Sequence, residues 1–97
     1  MKSYFLSSIA EQDLDEIISF ISNENPPAAL KFLDELYQAM NLLSENPMMG
    51  HKREDLTEKP VRFWPFKRRY LIIYADHSPI EIVRILSGYR DIASLLI

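Results

Sequence analysis

The sequence predicts an α+β fold of order β-α-α-β-β-β, a helical hairpin packed on a small, mainly antiparallel sheet. Three observations predict it. Apolar side chains recur at helical spacing in two successive blocks between Ser8 and Leu43. After Gly50 the period changes to short β-branched and aromatic runs, VRFWPF, YLIIYA and IEIVRIL. A similar short run, KSYFL, precedes the helical blocks.

KSYFL, residues 2–6, reads as the first strand, halted by the serines that follow. Ser8 and Glu11 form an S-x-x-E capping box, and Ala10, Leu14, Ile17, Ile18 and Ile21 then mark one face of a helix that should end near Asn23. Asn25 caps the second helix, with Pro26 and Pro27 in a first turn whose N–H groups lack helical partners anyway. Its apolar face is Ala29, Phe32, Leu33, Leu36, Met40 and Leu43, and Asn46-Pro47 closes it. So short a link makes the helices antiparallel. Residues 61–66, 70–75 and 80–86 form a meander through turns at KRR and DHSP. Pro65 cannot donate to a ladder, which puts its strand at an edge or a bulge. The tail DIASLLI has room for one helical turn.

A chain of 97 residues, 47% hydrophobic, buries one core, so residues 1–97 are expected to form a single domain. Without cysteine there is no disulfide framework or thiolate metal site, and His51 and His77 are far apart, so no metal and no cofactor is expected. The N-terminal residues lack a signal-type apolar run and YLIIYA is too short to span a membrane, so a cytoplasmic protein is expected. The net charge of -3 conceals a division. Residues 1–50 hold two bases against eight acids and residues 51–97 nine bases against six acids, so a partner facing the C-terminal half meets a positive surface. Seven of the eleven Lys and Arg residues lie within residues 51–74, among Phe63, Trp64, Phe66, Tyr70 and Tyr74.

One helical hairpin covers one sheet face, yet the strands do not alternate apolar with polar. In YLIIY every residue is apolar or aromatic, and IEIVRIL places Ile80, Ile82 and Leu86 on one side with Val83 and Ile85 on the other. The face away from the helices is therefore covered either by another chain or by the C-terminal segment IASLLI. Arg84, on the side of Ile80 and Ile82, needs a carboxylate, a phosphate or a route to water.

The motifs A-x-x-D-L (Ala10, Asp13, Leu14), N-P-x-A-A (Asn25, Pro26, Ala28, Ala29), N-P-M-M-G (46–50), R-E-D-L (53–56), V-R-F-W-P-F (61–66), Y-L-I-I-Y (70–74) and I-V-R-I-L-S-G-Y-R-D-I (82–92) follow one another in order. In this order and spacing the chain resembles the ParE toxins of the RelE/ParE superfamily of bacterial type II toxin-antitoxin systems. The resemblance implies a small toxin held inactive by a cognate ParD-like antitoxin, whose C-terminal segment folds over apolar toxin surface. By strand parity the covered face would present Trp64, Phe66, Ile72, Tyr74 and Ile82.

Two mechanisms occur on this fold. RelE-type relatives cleave mRNA on the ribosome; ParE-type relatives are described as DNA gyrase poisons that act by binding. A ribonuclease needs a base, an acid and arginines on one surface. Here Arg62 and Arg84 would bind phosphate, Tyr89 would serve as acid, and His51, Lys52 or Glu54 is the available base. Glu54 and Asp55 beside Arg53 read more simply as a surface ion pair, and Tyr89-Arg90-Asp91 fits the ParE-like G-x-R-D ending. The gyrase reading needs cations around apolar anchors, and Lys67, Arg68 and Arg69 with Arg62, Arg84 and Arg90 supply a rim for such a target. Asp91 is expected to cap the last helical turn. A third reading is a decayed toxin that only binds its antitoxin.

Overall fold

The structure is a computed structural model describing residues 4–88 and 92–96, without the side chains of Ala93 and Ser94. Its elements are β1 (Tyr4–Leu6), α1 (Ser8–Glu24), α2 (Pro26–Glu45), β2 (Arg62–Phe66), β3 (Tyr70–Ala75), β4 (Ile80–Ser87) and α3 (Ile92–Leu95). The four strands form one mixed sheet in the order β1-β4-β3-β2. β2, β3 and β4 are the antiparallel meander, and β1 joins β4 in parallel, with Tyr4 opposite Ile80 and Leu6 opposite Ile82. Pro65 sits on β2, an edge strand, as its missing N–H requires.

Local chemistry sets the helix ends. Ser7, one residue before the expected cap, is the N-cap of α1: its Oγ accepts from the Ala10 N–H at 3.0 Å and donates to the Val83 carbonyl at 2.9 Å. Ser7 wins over Ser8 because the hydroxyl at this position serves both the helix and the flank of β4. Asn25 ends α1 through its N–H to the Ile21 carbonyl and starts α2 through its Oδ1, which accepts from Ala28. One residue thus closes one helix and opens the next, and the two run as a hairpin.

The helices cover one face of the sheet. Ala10 and Ile17 from α1, with Phe32, Leu36, Met40 and Leu43 from α2, pack on Phe66, Ile72, Tyr74, Ile80, Ile82 and Ile85, with Trp64 and Tyr70 at the margin. Phe32 meets Phe66 and Tyr70 edge-on, at centroid distances of 5.5 and 4.8 Å. The opposite face holds Val61, Phe63, Leu71, Ile73 and Leu86, covered by Leu56, Ile92 and Leu96. Of the two covers expected for that face, the chain's own C-terminal segment is the one observed, joined by the loop before β2.

Face parity is corrected here. Trp64, Phe66, Ile72, Tyr74 and Ile82 do share one face, but it is the face under the helices, where all except the partly buried Trp64 lie in the core. In β4 the register passes from Ile73 opposite Arg84 to Tyr74 opposite Ile82, leaving Val83 as an extra residue. This bulge reverses the alternation, so Ile85 joins Ile80 and Ile82 under the helices and Leu86 joins the other face.

The loop after α2 is pinned by Tyr74, whose ring is fully buried. Its hydroxyl donates to the Pro47 carbonyl at 2.7 Å and accepts from the Gly50 N–H at 2.8 Å; burial raises its pKa. A Cβ on Gly50 would stand 2.6 Å from that oxygen and 2.8 Å from a ring carbon. Gly50→Ala is therefore expected to cost about 2–3 kcal/mol, because the immobile ring must shift and its hydrogen bonds loosen. A thermal melt beside the parent chain checks this.

Candidate functional site: a basic turn and the groove beside it

Lys67, Arg68 and Arg69 link β2 to β3 and all three are exposed. Lys67 and Arg68 adopt left-handed backbone conformations, φ 52 and 67. Long side chains rarely occupy that region, at roughly 1–2 kcal/mol per residue, and glycine or asparagine is the usual occupant. Lys67 Nζ is tied to Glu35 Oε1 on α2 at 2.6 Å, and that hydrogen bond holds the Glu35 carboxyl below its usual pKa. The Arg69 carbonyl accepts from the Gly88 N–H at 2.6 Å, fixing the turn to the end of β4. Arg68 and Arg69 take part in none of the salt bridges among the described residues. The turn thus presents two guanidiniums on an anchored, strained backbone.

A groove of about 390 Å³ opens beside the turn, between α1, the ends of β3 and β4, and α3. Ile17, Phe20, Tyr70 and Leu95 give its apolar lining, and Arg69 and Glu16 bring charge. Phe20 is 70% exposed, a large aromatic surface turned away from the core. Sequence reasoning missed Phe20. Its signal was its place in α1, off the stripe of Ala10, Leu14, Ile17, Ile18 and Ile21.

Arg62 and Arg84, expected to face a target or a phosphate, are engaged within the chain. Arg62 Nε donates to Asp76 Oδ2 at 2.6 Å, and its Nη1 donates to the Gly50 carbonyl at 2.9 Å. The guanidinium holds the Asp76 carboxyl below its usual pKa. Arg84 makes a bidentate pair with Asp13, Nε to Oδ2 at 2.8 Å and Nη2 to Oδ1 at 3.0 Å, and its Nη1 donates to the Leu95 carbonyl. Asp13 Oδ2 also accepts from the Ile85 N–H, taking the place of the strand partner β4 lacks beyond Leu6. Arg84, Asp13 and Arg62 are poorly exposed and Asp76 keeps a wetter side chain at 31%, so both pairs act as braces within the chain.

The remaining candidates do not converge. His51 forms a backbone bridge with Phe63, and its side chain is exposed. Arg53 pairs with Asp55 at the surface, as expected. Glu54 and Lys52 stand apart from the basic turn, on the loop before β2. Tyr89, Arg90 and Asp91, with the roles assigned to them, lie outside the described residues. The described residues contain no group of three or more His, Cys, Asp or Glu able to hold a metal, and none of their helices is long and apolar enough to cross a membrane.

A helical hairpin on a four-stranded mixed sheet, with a basic turn at one end, defines the class: a small α+β domain of the ParE-like kind. Residues 4–92 match the family described as "ParE toxin of type II toxin-antitoxin system, parDE". The chain belongs to this family of type II toxins. A solved structure of the chromosomal ParDE TA system from P. aeruginosa is similar to it with a TM-score of 0.73 and 25% sequence identity, over 92% of this chain and 98% of that one. No curated protein matches the sequence.

Proposed function

We propose that this toxin arrests growth by binding and poisoning DNA gyrase in the cytoplasm, and that a ParD-like antitoxin neutralises it. Membership of the ParE family supports the class of target. The observation that carries the mechanism is the fate of the arginines. The two that a ribonuclease would aim at a phosphate, Arg62 and Arg84, are held by Asp76 and Asp13, whereas Arg68 and Arg69 stand outward on a strained turn. That distribution suits a binding inhibitor better than an acid-base catalyst. The neighbouring groove, with exposed Phe20 and cationic Arg69, suits an antitoxin segment that brings apolar side chains and carboxylates together.

Purified toxin is expected to inhibit supercoiling by purified gyrase and to leave ribosome-bound mRNA intact. Cleaved mRNA with unimpaired supercoiling would establish the ribonuclease reading instead, and unchanged growth on expression without antitoxin would indicate a decayed toxin. Arg68→Glu and Arg69→Glu together should weaken gyrase inhibition about tenfold or more while leaving the melting temperature nearly unchanged. Full inhibition by that variant would place the contact elsewhere.

A further inference from the structure

We infer that Glu35 on α2 is a positioning residue for the basic turn, and that Lys67, tied to it, orients Arg68 and Arg69 without itself touching the target. The inference rests on the reading of that turn as the target-binding surface. Phe66 stands opposite Tyr70, so the hairpin closes through a loop of Lys67, Arg68 and Arg69. The common three-residue hairpin loop asks one residue to adopt the left-handed conformation. This loop asks two in succession, and both carry long side chains, Lys67 at φ 52 and Arg68 at φ 67. Local preference therefore offers a cheaper loop that would aim the guanidiniums elsewhere, and something outside the loop must select the observed one.

α2 supplies that selection at two points. Phe32 meets Phe66 and Tyr70 edge-on, at centroid distances of 5.5 and 4.8 Å, and so grips the two residues that bound the loop. Glu35 follows three residues later on the same side of the helix, and its Oε1 accepts from Lys67 Nζ at 2.6 Å. The rings fix the base of the turn and the ion pair fixes its first residue. Lys31, one turn earlier on α2, also attracts the Glu35 carboxylate but forms no salt bridge with it among the described residues. Both members of the Glu35–Lys67 pair are well exposed, so it adds little to global stability. Its effect is instead to choose between loop conformations that lie close in energy. Lys67 spends its ammonium on this anchor, whereas Arg68 and Arg69 take part in none of the salt bridges among the described residues.

Two measurements on the full chain test it together: inhibition of purified gyrase, and ¹⁵N relaxation of the turn amides in the free toxin, read for both fast disorder and slow exchange. Glu35→Gln is expected to raise the half-inhibitory concentration about two- to fivefold, to loosen the Arg68 and Arg69 amides, and to leave the melting temperature unchanged. Lys67→Glu, which sets two carboxylates together, should weaken inhibition about tenfold or more. Glu35→Lys with Lys67→Glu rebuilds the pair with reversed sign and should recover most of the inhibition and the order of the turn. Were Lys67 a target contact, that double variant would inhibit as poorly as Lys67→Glu alone. That result, or a Glu35→Gln variant with parental inhibition and a parental turn, would overturn the inference. A parent without effect on gyrase would overturn the gyrase reading, and the relaxation comparison alone would then decide the anchor, an unchanged turn in Glu35→Gln counting against it.

Discussion

Asp13→Ala is expected to lower stability by about 3 kcal/mol, the range for a buried pair broken on one side, and the melting temperature by roughly 12–24 °C. The carboxylate serves two partners at once, the Arg84 guanidinium and the Ile85 N–H. Alanine leaves a poorly exposed cation and a backbone donor without an acceptor, and both must be desolvated in the folded state. The attraction of the pair is thus less important than the penalty of orphaning one member. Replacing both, Asp13→Leu with Arg84→Met, should recover part of the loss. A double-mutant cycle from urea unfolding measures the coupling. A loss of under about 1 kcal/mol for Asp13→Ala would mean that the pair is screened like a surface bridge. Any fall in toxicity of this variant should follow its folded fraction, unlike that of the charge-reversed turn.

Arg62→Met should cost about 2–3 kcal/mol, slightly less, because Asp76 retains some access to water. The substitution frees Asp76 and removes the donor from the Gly50 carbonyl, loosening the loop that α2 hands to β2. The pair also gives a pH signature. The folded pKa of Asp76 lies below the ordinary 3.8, so in that acid window the unfolded chain binds more protons than the folded one and stability rises with pH. The contribution is complete above the unfolded value and is lost as pH falls through the folded value. Urea unfolding between roughly pH 2 and pH 5 should show that loss in the parent and a shallower one in Asp76→Asn. Equal slopes would assign acid sensitivity to other carboxylates.

Much of the architecture was legible because it is written in short-range chemistry. Asn25 followed by two prolines states a helix boundary locally, and so does Asn46 before Pro47. Pro65 marked its strand as an edge without reference to the rest of the sheet. Parity even grouped Trp64, Phe66, Ile72, Tyr74 and Ile82 correctly onto one face. It had no means of saying which face the helices would take, because both faces of β3 are apolar and the pattern reads the same from either side. Nor could it foresee the Val83 bulge, which depends on how β4 registers with β3.

The candidate site was less legible. Arg84 was recognised as needing a carboxylate, but its partner Asp13 lies 71 residues away, and only folding makes them neighbours. Arg62 and Asp76 meet in the same way across the β2–β3 hairpin. Lys67, Arg68 and Arg69 were visible as a cluster of charge, but the left-handed backbone that presents them was not.

By itself, the sequence determined the order of elements, the Asn25 cap that opens the second helix and the family of this toxin, since each rests on residues adjacent in the chain or on motifs in fixed order. The tertiary structure alone decided which arginines are braces and which face outward, which sheet face the helices cover, and that α3 covers the other. Those outcomes turn on desolvation and packing between residues distant in sequence, quantities that exist only once the chain has closed on itself.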